Sequence, residues 1–429
     1  RELRELPGVS ALIYDQTCAA EKRRRRKRGK FPDPAKRAFI NDLVCEGCGD
    51  CGVKSNCVSV LPLETEFGRK RAIDQSACNK DYSCVKGFCP SFVTVHGGGV
   101  RKGRGAETQP AGQKTQTPFP AIPEPSLPVL GDPYGIMVTG IGGTGVVTIG
   151  AIVGMAAHLE GKGFGALDMA GLAQKGGAVW SHLQIAQNPD EIKTVRLGSG
   201  GAKLVLGCDM VVSASQKTMD TTREGTRMIV NTHQQMTREF ARNPNVQFPG
   251  QSLKRTISKG VGEANAEFVD ATRIATALLG DSIATNMFML GYAWQRGLVP
   301  VGAEAIHKAI ELNGAAVKMN QAAFLWGRRA AADPAAVEKL VAPKPSTAAV
   351  TSLAQSLDEM VARRVEFLTA YQDAAYAEKY RRLVERVRLA ESAKAKGLTG
   401  LAEAVARYYF KLLAYKDEYE VARLYADPV

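Results

Sequence analysis

No stretch of this 429-residue chain has the run of about 18–20 apolar residues that a membrane-spanning helix needs, and no secretory signal opens it. Both absences point to a cytoplasmic protein without a membrane span. There is no HExxH pair on a helix, and no Ser/His/Asp order with a nucleophile elbow. Zinc-peptidase and serine-hydrolase chemistry are therefore not expected. The net charge is +13, yet no nucleic-acid fold signature accompanies it, so nucleic acid is not an expected partner. The chain also lacks an initiating Met. Its first residues, Arg1–Leu6, read as the last turns of a helix, and Val9–Tyr14 as a buried strand. With no sheet before them, they read as the tail of a larger polypeptide.

Against these absences stand the cysteines. Seven of nine fall between Cys45 and Cys89: Cys45, Cys48, Cys51, Cys57, Cys78, Cys84 and Cys89. Clustering of this kind in such a chain favours metal ligation over disulfides. Three cysteines at two-residue intervals with a distant Cys-Pro suit an iron–sulfur cluster of the bacterial ferredoxin type. Two-cluster ferredoxins interleave their ligands, which assigns Cys45, Cys48, Cys51 and Cys89 to one cluster. Cys57, Cys78 and Cys84 then need a fourth ligand. Asp81 has two residues between it and each of Cys78 and Cys84, where a middle cysteine would stand, and a carboxylate can ligate iron. The expected cofactors are two 4Fe-4S clusters, the second with the option of a three-iron form. Cys57 departs from the pattern, having five residues between it and Cys51 and being followed by Val58. A structural zinc site is the competing reading, but four zinc ligands explain seven clustered cysteines poorly.

The rest of the chain divides by composition. Residues 1–30 read as the end of an α/β domain, with Cys18 a buried thiol. Lys22–Arg28 is seven consecutive basic residues, suited to an acidic partner or to internal pairing. Residues 31–98 hold the cysteines. Residues 99–134, with seven prolines between Pro110 and Pro133, read as a linker. Residues 135–330 alternate strand and helix, which predicts a Rossmann-like, largely parallel sheet. Strands are expected at Ile136–Thr139, Phe164–Asp168, Val179–Ile185, Asp209–Ser213 and Met228–Asn231, and helices at Val146–Leu159, Ile283–Arg296 and Ala303–Asn313. Residues 331–350 read as a second linker. Residues 351–429 read as an all-helical packing module, with apolar stripes Leu353, Leu357, Met360, Val361; Val384, Val387, Leu389; and Tyr408, Tyr409, Leu412, Leu413. The fold class is thus α/β multidomain: a ferredoxin-like insert, a Rossmann-like domain and a helical extension.

Within the α/β region, Gly140, Gly142, Gly143, Thr144 and Gly145 form a glycine turn between a strand and a helix. Backbone N–H groups there can receive a phosphate. Asp168 ends the next expected strand, where a dinucleotide fold places its ribose-binding acid, so an NAD(P)- or flavin-dependent oxidoreductase is one open reading. Lys175 follows in a second glycine pair and would add a point charge near that phosphate, or be a solvated loop lysine. His182, on an alternating strand, reads as a core or surface residue rather than a catalyst.

In order, the motifs IYDQTCAAEKRRRRKRG, CEGCGDCGVKSNC, SCVKGFCP, GIGGTGVVTIG and DMAGLAQKGGAVWSHLQI resemble indolepyruvate:ferredoxin oxidoreductase, in the long fused form of proteobacteria. The resemblance covers nearly the whole chain. It implies oxidative decarboxylation of an arylpyruvate on thiamine diphosphate with Mg, formation of an aryl-acetyl-CoA, and electron transfer through iron–sulfur clusters to ferredoxin. It makes residues 135–330 a gamma-type 2-oxoacid oxidoreductase domain and turns the glycine loop towards a diphosphate of CoA or thiamine. Lys22–Arg28 would dock ferredoxin. The Gly-Asp-Gly…Asn thiamine–Mg pattern is missing, so that cofactor would sit on an upstream portion of the same enzyme. A homo-oligomer is expected. A non-catalytic electron-transfer subunit is the remaining alternative.

Overall fold

A computed structural model describes residues 2–13, 15–98, 121–171, 177–237, 239–243, 245–342, 353–395 and 397–426. The chain forms two compact units. One comprises Arg1–Gly99, Arg238–Pro244 and Pro345–Val429; the other comprises Val100–Thr237 and Asn245–Lys344. Among the described residues no helix is long and apolar enough to cross a membrane.

The first unit carries four short strands in two antiparallel pairs. β1 (Lys36–Ile40) pairs with β4 (Phe92–His96). β2 (Val60–Thr65) pairs with β3 (Gly68–Ile73) across a tight turn at Glu66 and Phe67. The helices Leu357–Tyr371, Ala374–Lys394, Leu401–Leu413 and Glu418–Ala426 complete it. Their starts are written locally. Ser356 Oγ accepts from Glu359 N, while Glu359 Oε2 accepts from Gln355 N, two reciprocal caps. Asp373 Oδ1 accepts from Tyr376 N.

Met360, Leu368, Tyr380, Val384, Phe410 and Leu413 make the helical core. The expected stripes are therefore partly wrong: Leu389, Tyr408 and Leu412 face solvent, and Phe410 takes the inward position. The first residues also differ from expectation. A helical turn stands at Glu2–Glu5, but Val9, Leu12 and Ile13 are exposed and form no strand, because no neighbouring strand offers them hydrogen bonds. Cys18 is exposed rather than buried.

The second unit is built on a six-stranded sheet of β5 (Tyr134–Ile141), β6 (Gly163–Ala170), β7 (Ala178–Ala186), β8 (Leu204–Gly207), β9 (Arg227–Asn231) and β10 (Ala266–Val269). The order is β10-β9-β8-β5-β7-β6. Alternation along the strands buries both faces. Ile136, Val138, Leu204, Leu206 and Ile229 face one core with the helices Val146–Leu159 and Thr285–Gln295. Met137, Val205, Met228 and Val230 face a second core with Ile257 and Val261 of the helix Gly250–Val261. A sheet covered on both sides explains why its central strands read as unbroken apolar runs.

Four expectations need correction here. The sheet is mixed: β5, β8, β9 and β10 are mutually parallel, but β7 runs antiparallel to both β5 and β6. Returning directly from β6, β7 takes the place beside β5 that a Rossmann crossover would give to β6. Asp209–Ser213 is not a strand: the Asp209 carboxylate accepts from Val212 N at 2.8 Å and starts a helical turn at Met210–Ser213, just after β8. Pro334–Val341, in the stretch read as a linker, is a helix with Asp333 at its N-cap. The described part of the proline-rich linker is tied down. Pro123 O accepts from Gln295 Nε2, and Glu124 pairs with Arg328 at 2.8 Å.

Candidate metal centre and glycine loop

The cysteine loops lie in the first unit, and its strands position them. Cys45 follows β1 and is buried, and the loop from it runs over the backbone of β3. That crossing needs a glycine: at Gly47, with φ +71°, a Cβ would meet Arg69 O at 2.2 Å. The short helix Asp50–Ser55 then turns Cys51 inward, with Ser55 Oγ donating to Cys51 O at 2.6 Å. Cys45 and Cys48 stand near enough to Cys51 to raise its pKa, although burial is the larger cause of its rise to about 11. Arg71, 2% exposed, faces all three thiols and stacks on Phe240 at 4.8 Å. Buried Lys70 faces Lys416, Glu46 and Cys45, and burial with Lys416 beside it lowers its pKa to about 8. Cys89 is exposed. Its Sγ lies 3.1 Å from Ser91 Oγ, with Tyr425 nearby.

A second group forms around Cys84. Burial, then Cys57 and Cys78, raise its pKa to about 11, and Asp81 adds to the rise. The thiol of Cys78 is raised by burial first, then by Cys57 and Asp81. The loop between Cys78 and Cys84 is held in an unusual shape, with Lys80 at φ +54° and Tyr82 at φ +58°, both outside the range that side chains favour. Asp81 stands between them. Its Oδ1 accepts from Ser83 N at 3.0 Å and from Ser83 Oγ at 2.7 Å, so one carboxylate oxygen caps the turn Ser83–Val85. The basic run packs against this loop. In the helix Ala19–Lys27, Arg23 donates to Ser76 O and Arg26 to Asn79 O, while Arg24 and Arg25 pair with Glu21.

Among the described residues, no three His, Cys, Asp or Glu side chains close on one point as a finished metal shell would. The donor chemistry nonetheless fits an iron–sulfur group: soft thiols in two gatherings, with backbone N–H groups aimed at sulfur. Gly47 N donates to Cys45 Sγ at 3.3 Å and Lys80 N to Cys78 Sγ at 3.4 Å. Two buried polar atoms beside the second group, Ser59 Oγ and Asn79 Oδ1, have no hydrogen-bond partner.

The glycine loop lies in the second unit, at the C-terminal end of β5. Gly143 (φ +85°) and Gly145 (φ +100°) set its turn, Thr144 Oγ1 donates to Ile141 O, and Gly142 N donates to Gly177 O at 2.7 Å. Buried Asn286 pins the loop from below, its Nδ2 donating to Thr144 O at 2.8 Å. Gly143 and Thr144 are exposed, and the helix Val146–Leu159 begins immediately after, so the loop presents backbone N–H groups at a helix N-terminus. Asn286→Ala should cost about 1–2 kcal/mol, the usual price of a buried partner lost from a carbonyl, and lower the thermal unfolding midpoint.

Asp168 does not stand where a ribose-binding acid would. β7 separates β6 from β5, and Asp168 accepts a hydrogen bond from Ser181 Oγ of β7. Two strand spacings put it about 10 Å from β5. Lys175 lies outside the described residues. His182 is a packed residue: it is 5% exposed, its Nδ1 accepts from Leu197 N at 3.2 Å, and burial lowers its pKa. Sequence reasoning missed Lys70, Arg71, Lys416, Tyr425 and Asn286. Of these, only the Arg-Lys-Arg triplet inside β3 carried a signal, since three cations in a six-residue strand place at least one on its inner face.

Comparison with known proteins bears on the second unit and on the helical segment. Residues 135–330 match the family described as pyruvate ferredoxin/flavodoxin oxidoreductase, and residues 357–429 match a family of unknown function (DUF6537). Indolepyruvate oxidoreductase subunit IorB of Pyrococcus horikoshii is 26% identical over 206 residues, 46% of this chain and 96% of that protein. The pyruvate/ketoisovalerate oxidoreductases common subunit gamma of Thermococcus litoralis is 30% identical over 178 residues, 40% of this chain and 82% of that protein. Among solved structures, pyruvate oxidoreductase subunit PORC of Thermotoga maritima is 22% identical and covers 46% of this chain and 96% of that one, with a TM-score of 0.35. Through residues 135–330, the chain belongs to the pyruvate ferredoxin/flavodoxin oxidoreductase family and carries its gamma-type domain.

Proposed function

We propose that this chain is the electron-relay and gamma-type portion of an indolepyruvate-type 2-oxoacid:ferredoxin oxidoreductase. The enzyme would turn an arylpyruvate and CoA into an aryl-acetyl-CoA and pass the electrons to ferredoxin. The observation that carries this is the gathering of six cysteines into two groups, in a chain whose other unit has the family's gamma-type domain. Cys45, Cys48 and Cys51, with Cys89, would hold one 4Fe-4S cluster; Cys57, Cys78 and Cys84, with Asp81, would hold the other. Bound there, such clusters store and release single electrons. The protein's part is to exclude water, to aim N–H groups at sulfur, and to hold cations beside the thiolates. In the second unit, Gly142 N and Thr144 N are engaged within the structure, and the amides of Gly143 and Gly145 would receive a phosphate of CoA or of thiamine diphosphate, with Lys175, outside the described residues, as the proposed counter-charge. Thiamine diphosphate and its Mg would be bound by a separate portion of the enzyme. Arg23–Arg26 are engaged with the cysteine loop and Glu21, and the run Lys22–Arg28 as a whole would offer ferredoxin a positive surface.

The displaced Asp168 disfavours a nicotinamide enzyme. Iron and sulfide quantification with EPR on anaerobically purified, dithionite-reduced protein tests the reading. About eight irons with coupled spins are expected, or about seven with a three-iron signal if Asp81 leaves one corner open. Zinc without iron, or bleaching of the cluster absorbance by NADH, would overturn it.

A further inference from the structure

The helical segment 357–426 reaches the first cysteine group at two points. Lys416, its side chain 12% exposed, pairs with Glu46 at 2.9 Å and donates to Cys45 O at 3.4 Å. Tyr425 Oη donates to Pro90 O at 2.6 Å, one residue beyond Cys89. A third anchor lies at the β2–β3 turn. There the buried Glu66 carboxylate meets Arg364, and Phe67 packs on Phe367 and Phe410 at 5.0 and 5.3 Å. That turn leads into β3, which supplies Lys70 and Arg71 to the same thiols. The two chain segments carrying Cys45 and Cys89 are 44 residues apart and are joined at their bases by the β1–β4 pair, which continues to Asn41 N donating to Ser91 O at 2.8 Å, while the loops beyond it reach the helical segment. The helical segment touches both.

We infer that the helical segment 357–426 is a clamp on the first cysteine group: Lys416 and Tyr425 hold the Cys45 and Cys89 loops in register, and Lys416 adds a positive charge beside the cluster. This rests on the proposed cluster assignment. It gives a task to a segment whose own family has none recorded. Lys416, Lys70 and Arg71 outnumber Glu46, the acid facing them, and a surplus of positive charge favours the reduced, more negative state of a cluster. Removing Lys416 also leaves Glu46 without its partner, which acts in the same direction. Lys416 and Tyr425 are positioning residues and touch no reactant.

The test uses the whole chain with its metal, read by potentiometric EPR titration. Lys416→Met should make one of the two clusters harder to reduce by about tenfold, which is 59 mV for a one-electron couple, and leave the other unmoved. Tyr425→Phe should alter the g-values of that same cluster, and Lys416→Arg should restore most of the potential. Lys379→Met, removing an exposed lysine from the helix Ala374–Lys394, should move neither. If Lys416→Met instead sheds one cluster while Lys416→Arg retains both, the clamp is equally supported. Full iron with both potentials and g-values unchanged in Lys416→Met and Tyr425→Phe would overturn it. Iron missing from the unsubstituted chain would overturn the cluster assignment itself.

Discussion

Arg364→Met should destabilise the first unit by about 3–5 kcal/mol, because it strands a buried carboxylate. The Arg364 and Glu66 side chains are 4% and 5% exposed. Arg364 gives Nη1 to the Glu66 carboxylate and to Met360 O, and Nη2 to Glu66 O at 2.8 Å. Its guanidinium lies against the rings of Phe67 and Phe410. Without it, Glu66 keeps Ala354 N at 2.8 Å and Arg363 at 3.5 Å, which puts the expected loss towards the lower end. The pair itself need not be strongly stabilising. Two ions out of water cost several kcal/mol, and Arg364 Nε is buried without a hydrogen-bond partner. Arg364→Met combined with Glu66→Leu should therefore recover most of the loss. Urea unfolding followed by helical ellipticity checks both. An Arg364→Met variant as stable as the parent would mean that water reaches Glu66.

On the proposed cluster assignment, Gly47→Ala should remove the first cluster and spare the second. Its φ of +71° disfavours any Cβ, and the Cβ would stand 2.2 Å from a backbone oxygen of β3, which cannot step aside as a flexible side chain would. The loop from Cys45 to Cys48 must then lift off β3, taking with it the N–H that Gly47 gives to Cys45 Sγ. Iron should fall by about half, from about eight to about four per chain, with one EPR signal lost. Gly87→Ala is the matched control: it also lies between two cysteines, but its Cβ would meet nothing within 4 Å, and iron should stay whole.

Much of this site could be read from spacing. Cys45, Cys48 and Cys51 are close in sequence, so a tight turn and a short helix bring them together, and Asp81 is held between Cys78 and Cys84 by local geometry alone. The glycine loop was legible for the same reason: a strand, a turn at positive φ and a helix are all encoded within some 25 residues. What could not be read was long-range. Nothing near β7 says that it will lie between β5 and β6, and strand order is what displaced Asp168. Asp209 was misread because one carboxylate capping a turn converts an apolar run from strand to helix. Leu389, Tyr408 and Leu412 fit helical periods equally well facing in or out, until Phe410 fixes which side meets Phe67. Lys416, in the loop between the last two helices, and Tyr425 look like any polar residues of a charged segment. Their meaning lies in partners more than 300 residues away.

That separation has a consequence for how the protein is made. Glu66 and Arg364 are 298 residues apart, and most of the second unit, with its own cores, is synthesised between them. At about 5–20 residues per second, the ribosome delivers Arg364 some 15–60 s after Glu66. Throughout that interval the cysteine loops exist without Lys416, Tyr425 or the helices that anchor the hairpin. If the cysteines take up the proposed clusters, metal delivery has an open door during synthesis, and oxygen has the same one.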